Sequence, residues 1–180
     1  MGLFDDIETN VEDIQVDGKL PDDTYDFAIT DVTVKEFADD HKTMGGQTAI
    51  FVELTVIGDS ENGPESKYVG ETYTQFLRKP NQQLQGDGKT GWRMYAQILK
   101  QNLLSFGVPE SMLGTWDPEA DSADIIGLEG RGTLKTSKKN ADYQNLFNFT
   151  LTETSGVSTI DAKPSKEVSS EIDLDNWAQV

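Results

Sequence analysis

Apolar residues in the first half of the chain recur mostly at every second position. In TYDFAITDVTVKEF, from Thr24, the residues Tyr25, Phe27 and Ile29 alternate with smaller or polar neighbours. The phase then shifts to Val32 and Val34, which predicts a strand with a bulge near Asp31. In TAIFVELTVIG, Ile50, Val52, Leu54 and Val56 fall on one face, with Phe51, Glu53 and Thr55 on the other. SKYVGETYTQFLRK, residues 66–79, is a third strand segment split by Gly70, and the GDSENGP connection before it is rich in turn formers. Together these read as an antiparallel meander of three strands.

The period then lengthens. After the polar loop KPNQQLQGDGK, Thr90 is placed to cap a helix in which Trp92, Tyr95, Leu99, Leu103 and Phe106 recur at spacings of three and four. Arg93, Gln97, Lys100 and Gln101 stay outside, and Gly107, Val108 and Pro109 stop the helix. An acidic loop leads into IIGLEGRGTLKTSKK, where Ile126, Leu128 and Leu134 share one face and Arg131, Thr133 and Lys135 the other, with Gly130 and Gly132 permitting sharp bending. YQNLFNFTLTE, with Tyr143, Phe147, Phe149 and Leu151 on one side, is a fifth strand reached through the hairpin SKKNAD.

Three strands, a helix and two strands is the element order of the OB-fold, a five-stranded Greek-key barrel. The expected architecture is therefore mainly β: an OB-fold-like barrel over residues 23–153, with one helix between strands 3 and 4 plugging one end. Other small α+β sheets with a single helix share that order. Residues 1–22 form an acidic arm, and residues 154–180 a polar tether with an acidic tail; both are expected to be flexible. A hydrophobic fraction of 36% over 180 residues fits one domain with extensions outside its core. There is no long apolar run and no leader-like start, so the expected location is cytoplasmic, without a membrane partner. With no cysteine, disulfides, thiolate metal sites and cysteine nucleophiles are excluded.

The formal net charge of −17 argues at first against a nucleic-acid partner. Its distribution changes that. Residues 1–26 carry nine acids and one base, residues 161–180 five acids and two bases, and the middle is only mildly negative.

Several motifs carry no chemistry. GDGKT, residues 86–90, imitates the end of a phosphate-binding loop, but Gln83 stands where that motif needs glycine. Asp117, Glu119 and Asp121 are spaced like a calcium loop, yet Ser122 replaces the turn glycine and Leu128 the closing glutamate. The single histidine, His41, cannot build a triad or a multi-histidine metal site. Carboxylates abound but no pair stands out, so no catalytic residue, metal or cofactor is assigned, and a metal-dependent nuclease is the third reading.

What remains is binding. Arg78 and Lys79 end strand 3, Lys89 and Arg93 bracket the helix start, and Arg131, Lys135, Lys138 and Lys139 lie on and after strand 4. Phe51, Tyr73 and Phe76 interleave on strands 2 and 3, and Tyr143 follows the basic hairpin. Cations for phosphates and flat rings for bases are the two parts a single-strand site needs. The plain alternative is that the rings are ordinary barrel residues and the bases a solubilising rim.

The stretches GKLPDDTYDFAITDV, FVELTVIGDSENG, YTQFLRKP, MYAQILKQNLLSFGVP, IIGLEGRGTLKT, YQNLFNF and the tail SSEIDLDNWAQV together resemble the single-stranded DNA-binding proteins of bacteria and their phages, the small phage-encoded OB-fold type above all. The resemblance implies a non-catalytic protein that coats single-stranded DNA in replication and recombination without sequence preference. It also implies an acidic tail, here Glu171, Asp173, Asp175 and Trp177, that docks on replication or recombination proteins and competes with DNA for the groove. Trp177 departs from the family in being followed by Ala178, Gln179 and Val180. The arm has no family counterpart; Leu3, Phe4, Ile7, Val11 and Ile14 sit at roughly helical spacing, so it either stays unfolded or pairs with a second copy in a homodimer. The rival reading is a β-rich protein-interaction or virion structural module, including a DNA-mimicking inhibitor, with no nucleic acid involved.

Overall fold

The computed structural model describes residues 20–152. The acidic arm, the tether and the tail residues Glu171, Asp173, Asp175 and Trp177 lie outside them. The elements in chain order are β1 (Thr24–Glu36), β2 (Thr48–Asp59), β3 (Thr72–Arg78), α1 (Gln82–Gln85), α2 (Trp92–Ser105), β4 (Glu129–Thr136) and β5 (Gln144–Leu151), with short 3-10 turns at Glu110–Met112 and Ser122–Asp124.

One antiparallel sheet runs in the order β3-β2-β1-β4-β5. β1 is its spine, pairing with β2 along its whole length and with β4 through Thr24–Ala28. Its register slips between Ile29 and Asp31, where the phase shift in the sequence requires a bulge, and again between Asp26 and Phe27. Bulges add twist and bend the strand that carries them. The sheet curls far enough for the Tyr73 hydroxyl on β3 to donate to the Gln144 carbonyl at the start of β5, 3.1 Å away. The two edge strands do not pair as a ladder, so the sheet is curled but open, and the closed barrel expected from the sequence is not what the described residues form.

The concave side holds the core. Tyr25, Phe27 and Ile29 of β1, Ile50, Val52, Leu54 and Val56 of β2, Leu77, Leu134, Leu146 and Phe149 pack there against Met94, Ile98 and Leu103 of α2 and Phe106 beyond it. Gly130 and Gly132 serve this packing more than bending: a Cβ on Gly130 would run into the Phe149 ring, and one on Gly132 into Leu146. Phe149 in turn meets Phe106 edge-on, with ring centroids 5.3 Å apart.

The helix departs from its expected frame in two details. Gly91 precedes it with no side-chain cap, so Thr90 plays no capping role, and its buried stripe is Met94, Ile98 and Leu103, with Tyr95 and Leu99 half-buried beside it and Trp92 outside the core. Its end follows the expected stop. Gly107, at φ 102°, lets its N–H donate to Leu104 O and the Val108 N–H to Leu103 O, a Schellman turn. The segment between α2 and β4 inserts Trp116, Ile125 and Leu128 into the core, and β4 starts only at Glu129, which leaves Ile126 exposed instead of on the core face.

The fold also reaches back before β1. Leu20 is buried, Pro21 O accepts from the Tyr25 hydroxyl, and the Asp22 carboxylate accepts from Thr136 N and Oγ1 at 2.8 and 2.7 Å. At the other end of β2, Asp59 closes the turn. Its carboxylate is held below the usual range by hydrogen bonds from Ser66 and from the N–H groups of Asn62 and Glu61.

Candidate nucleic-acid interface

Strand alternation sends every second residue of β1, β2 and β3 to the convex side. Register then groups them: Thr33, Phe51 and Phe76 form one cross-strand row, Lys35, Ala49 and Arg78 the next, and Asp31, Glu53 and Thr74 the row on the opposite flank. Phe51 and Phe76 meet edge-on with centroids 5.3 Å apart and an interplanar angle of 63°. Both are half-buried, Phe76 packing in part against the core, and each keeps part of its surface accessible.

Cations accompany these rings. Lys35 Nζ stands 4.9 Å over Phe37. The Arg78 guanidinium lies 4.9 Å from the Tyr95 ring of α2, and its Nε is buried without a hydrogen-bond partner among the described residues. Burial draws the Arg78 pKa below its ordinary value, yet a guanidinium begins so far above neutrality that it keeps its charge. Lys79 follows, exposed, its backbone N–H donated to Thr48 O. The loop after β1 is held in shape by His41, whose Nδ1 accepts from Met44 N at 3.0 Å and whose ring meets Phe37 edge-on at 4.8 Å.

The β4–β5 hairpin supplies a second group. Lys135 Nζ lies 5.8 Å from the Phe147 ring. Beyond it Ser137 Oγ accepts from Lys139 N and Asn140 N, a tight turn that carries Lys138, Lys139 and Tyr143 exposed. The Tyr73–Gln144 hydrogen bond brings the start of β5, and so this hairpin, alongside β3.

Not every residue picked from the sequence joins these groups. Tyr73 faces inward: it shares its face with Gln75 and Leu77, and its hydroxyl is donated to Gln75 Oε1 at 2.7 Å and to Gln144 O. Burial raises its pKa well above the ordinary tyrosine value, so the hydroxyl stays a donor. Arg131 is gripped by Asp26 through Nε–Oδ1 at 2.7 Å and Nη2–Oδ2 at 3.0 Å, and that hydrogen-bonded carboxylate raises its pKa. Arg93 sits against Asp87, 3.7 Å from Oδ1, and against the Trp92 ring. Asp87 also takes the Trp92 indole N–H, which puts a carboxylate at the mouth of the helix that follows GDGKT and disfavours an anion there. Lys89 is exposed in that turn. In the acidic loop, Asp117 and Asp121 accept backbone N–H groups, and no cluster of three or more metal-ligating side chains occurs among the described residues.

Sequence reasoning passed over Lys35, Phe37 and Phe147. Alternation from Thr33 already put the first two on the Phe51 face. Phe147 left no such signal, because Asn148 adopts φ 54° and resets the alternation after it.

Comparison with known proteins adds no relative: no family model and no curated protein sequence matches this chain. Among the described residues no helix is long and apolar enough to cross a membrane.

Proposed function

We propose that this protein binds single-stranded DNA with little sequence preference, as a non-catalytic phage-type protein of replication or recombination, on an OB-fold-like scaffold. The observation that carries the reading is the Phe51–Phe76 pair on the convex face, one row from the cations Lys35 and Arg78. Ring faces stack on any base, and cations follow the backbone whatever the sequence. The strand order supports the scaffold assignment, since it is the order an OB barrel would have if opened between β3 and β5. In this reading Glu171, Asp173, Asp175 and Trp177 recruit partner proteins and compete with DNA for the face by charge.

The decisive experiment is fluorescence anisotropy of labelled oligo(dT) of about 30 nucleotides against the full-length protein, at low and physiological salt, with a duplex control. Preference for the single strand and weakening with salt are expected. Absence of binding at low salt would sink the reading and turn attention to the rival protein-interaction module, which the net charge of −17 favours. Deleting residues 161–180 is expected to tighten binding, because the segment carries five acids against two bases.

A further inference from the structure

Four antiparallel pairings separate β3 from β5 around the sheet, so these two edge strands run in the same direction. Tyr73 Oη and Gln144 O, 3.1 Å apart, tie them at one level. Phe76 lies three residues past Tyr73, and Phe147 three residues past Gln144. At about 3.3 Å per residue, both rings stand about 10 Å beyond the tie, on either side of the seam.

Both also turn outward. Phe76 lies between the buried Gln75 and Leu77, and Phe147 follows the buried Leu146 and pairs across to Thr133 on the convex side. Regular alternation would then send Phe149 outward as well. The left-handed Asn148 prevents this, freeing Phe149 for the core while Phe147 keeps its outward position. A non-glycine residue rarely adopts that conformation, and the Phe149 packing offsets its cost. Lys135 stands over Phe147, and Lys138 and Lys139 continue the positive charge along the hairpin.

From this geometry we infer that Phe147, with Lys135, is a second stacking platform for the same single-stranded nucleic acid, and that the bound strand crosses the β3–β5 seam to reach it. The inference rests on the single-strand reading of Phe51 and Phe76. A ring beside a cation on the convex side suits an unpaired base with its phosphate; a duplex hides its base faces and presents only charge.

The test uses the full-length protein and a length series of oligo(dT), from about 6 to about 30 nucleotides, in anisotropy titrations of wild type, Phe51→Ala, Phe147→Ala and Phe147→Leu. Phe51→Ala is expected to weaken every length. Phe147→Ala is expected to leave the shortest oligomers unchanged and weaken the longer ones by about 5- to 30-fold, as the loss of one stacked base would. Phe147→Leu, which keeps apolar cover over Thr133 but removes the flat ring, is expected to match the alanine variant. Wild-type affinity at all lengths in Phe147→Ala, or full rescue by leucine, would overturn the platform while leaving the Phe51–Phe76 reading intact. Failure of the wild type to bind any oligomer at low salt would instead remove the reading on which the platform rests.

Discussion

Arg131 lies on the convex side of the sheet and Arg78 at the end of edge strand β3 with its guanidinium against α2, and they have opposite surroundings. Arg131 is clasped by both oxygens of Asp26, so the pair presents almost no net charge to an approaching phosphate. Arg78 has a ring for a neighbour, and a ring leaves a cation's charge in place. The same division separates Arg93, beside Asp87, from Lys35 over Phe37 and Lys135 over Phe147. In a chain this acidic, the number of bases says little about where an anion can bind. What each base rests on says more.

The largest test of that contrast is charge reversal on the β4–β5 hairpin, where Lys135 lies over the Phe147 ring. Lys135→Glu, Lys138→Glu and Lys139→Glu together are expected to lower oligo(dT) affinity by on the order of 100-fold or more at physiological salt, measured by anisotropy. A protein-only interaction surface would leave the variant's weak binding no different from that of the wild type. Removing the rings comes next: Phe51→Ala with Phe76→Ala is expected to cost about 10- to 100-fold, with a denaturation curve run alongside to confirm the fold. The two arginines then separate on salt. Arg78→Gln is expected to reduce the slope of log affinity against log salt by about one, and Arg131→Gln to leave it unchanged. Smallest is the effect of Arg131→Ala on stability, about 0.5 kcal/mol by urea denaturation, because its side chain is 56% exposed and solvent screens the pair.

Much of the fold was legible in the chain because periodicity is local. Alternation marked all five strands, the bulge in β1 and the non-core position of Phe51, and the spacing of three and four marked α2. The same alternation speaks against grouping Tyr73 with Phe76: residues an odd number apart on a regular strand point to opposite faces, and Tyr73 goes inward with Gln75 and Leu77. Other features were out of reach of local pattern. The partner of Arg131 lies 105 residues away, so its neutralisation is a product of the β1–β4 pairing. Phe147 was hidden by one backbone angle at Asn148. The 109–128 segment follows no period, and which of Ile125 and Ile126 is buried depends on a 3-10 turn.

The position of β1 between neighbours so unequally distant in sequence also bears on how the chain assembles. Its contacts with β2 close through a short loop, whereas Thr24 meets Thr133 only across 109 residues. Loop-closure entropy disfavours the second pairing until much else is in place, and folds that depend on such non-local contacts are slow to form. The β1–β2–β3 meander, with Phe51 beside Phe76, is thus expected to take shape early, and docking of the β4–β5 hairpin to limit the refolding rate. Until that docking, the Thr24–Ala28 end of β1 remains an unpaired edge, and a nascent chain is open there to pairing with another copy.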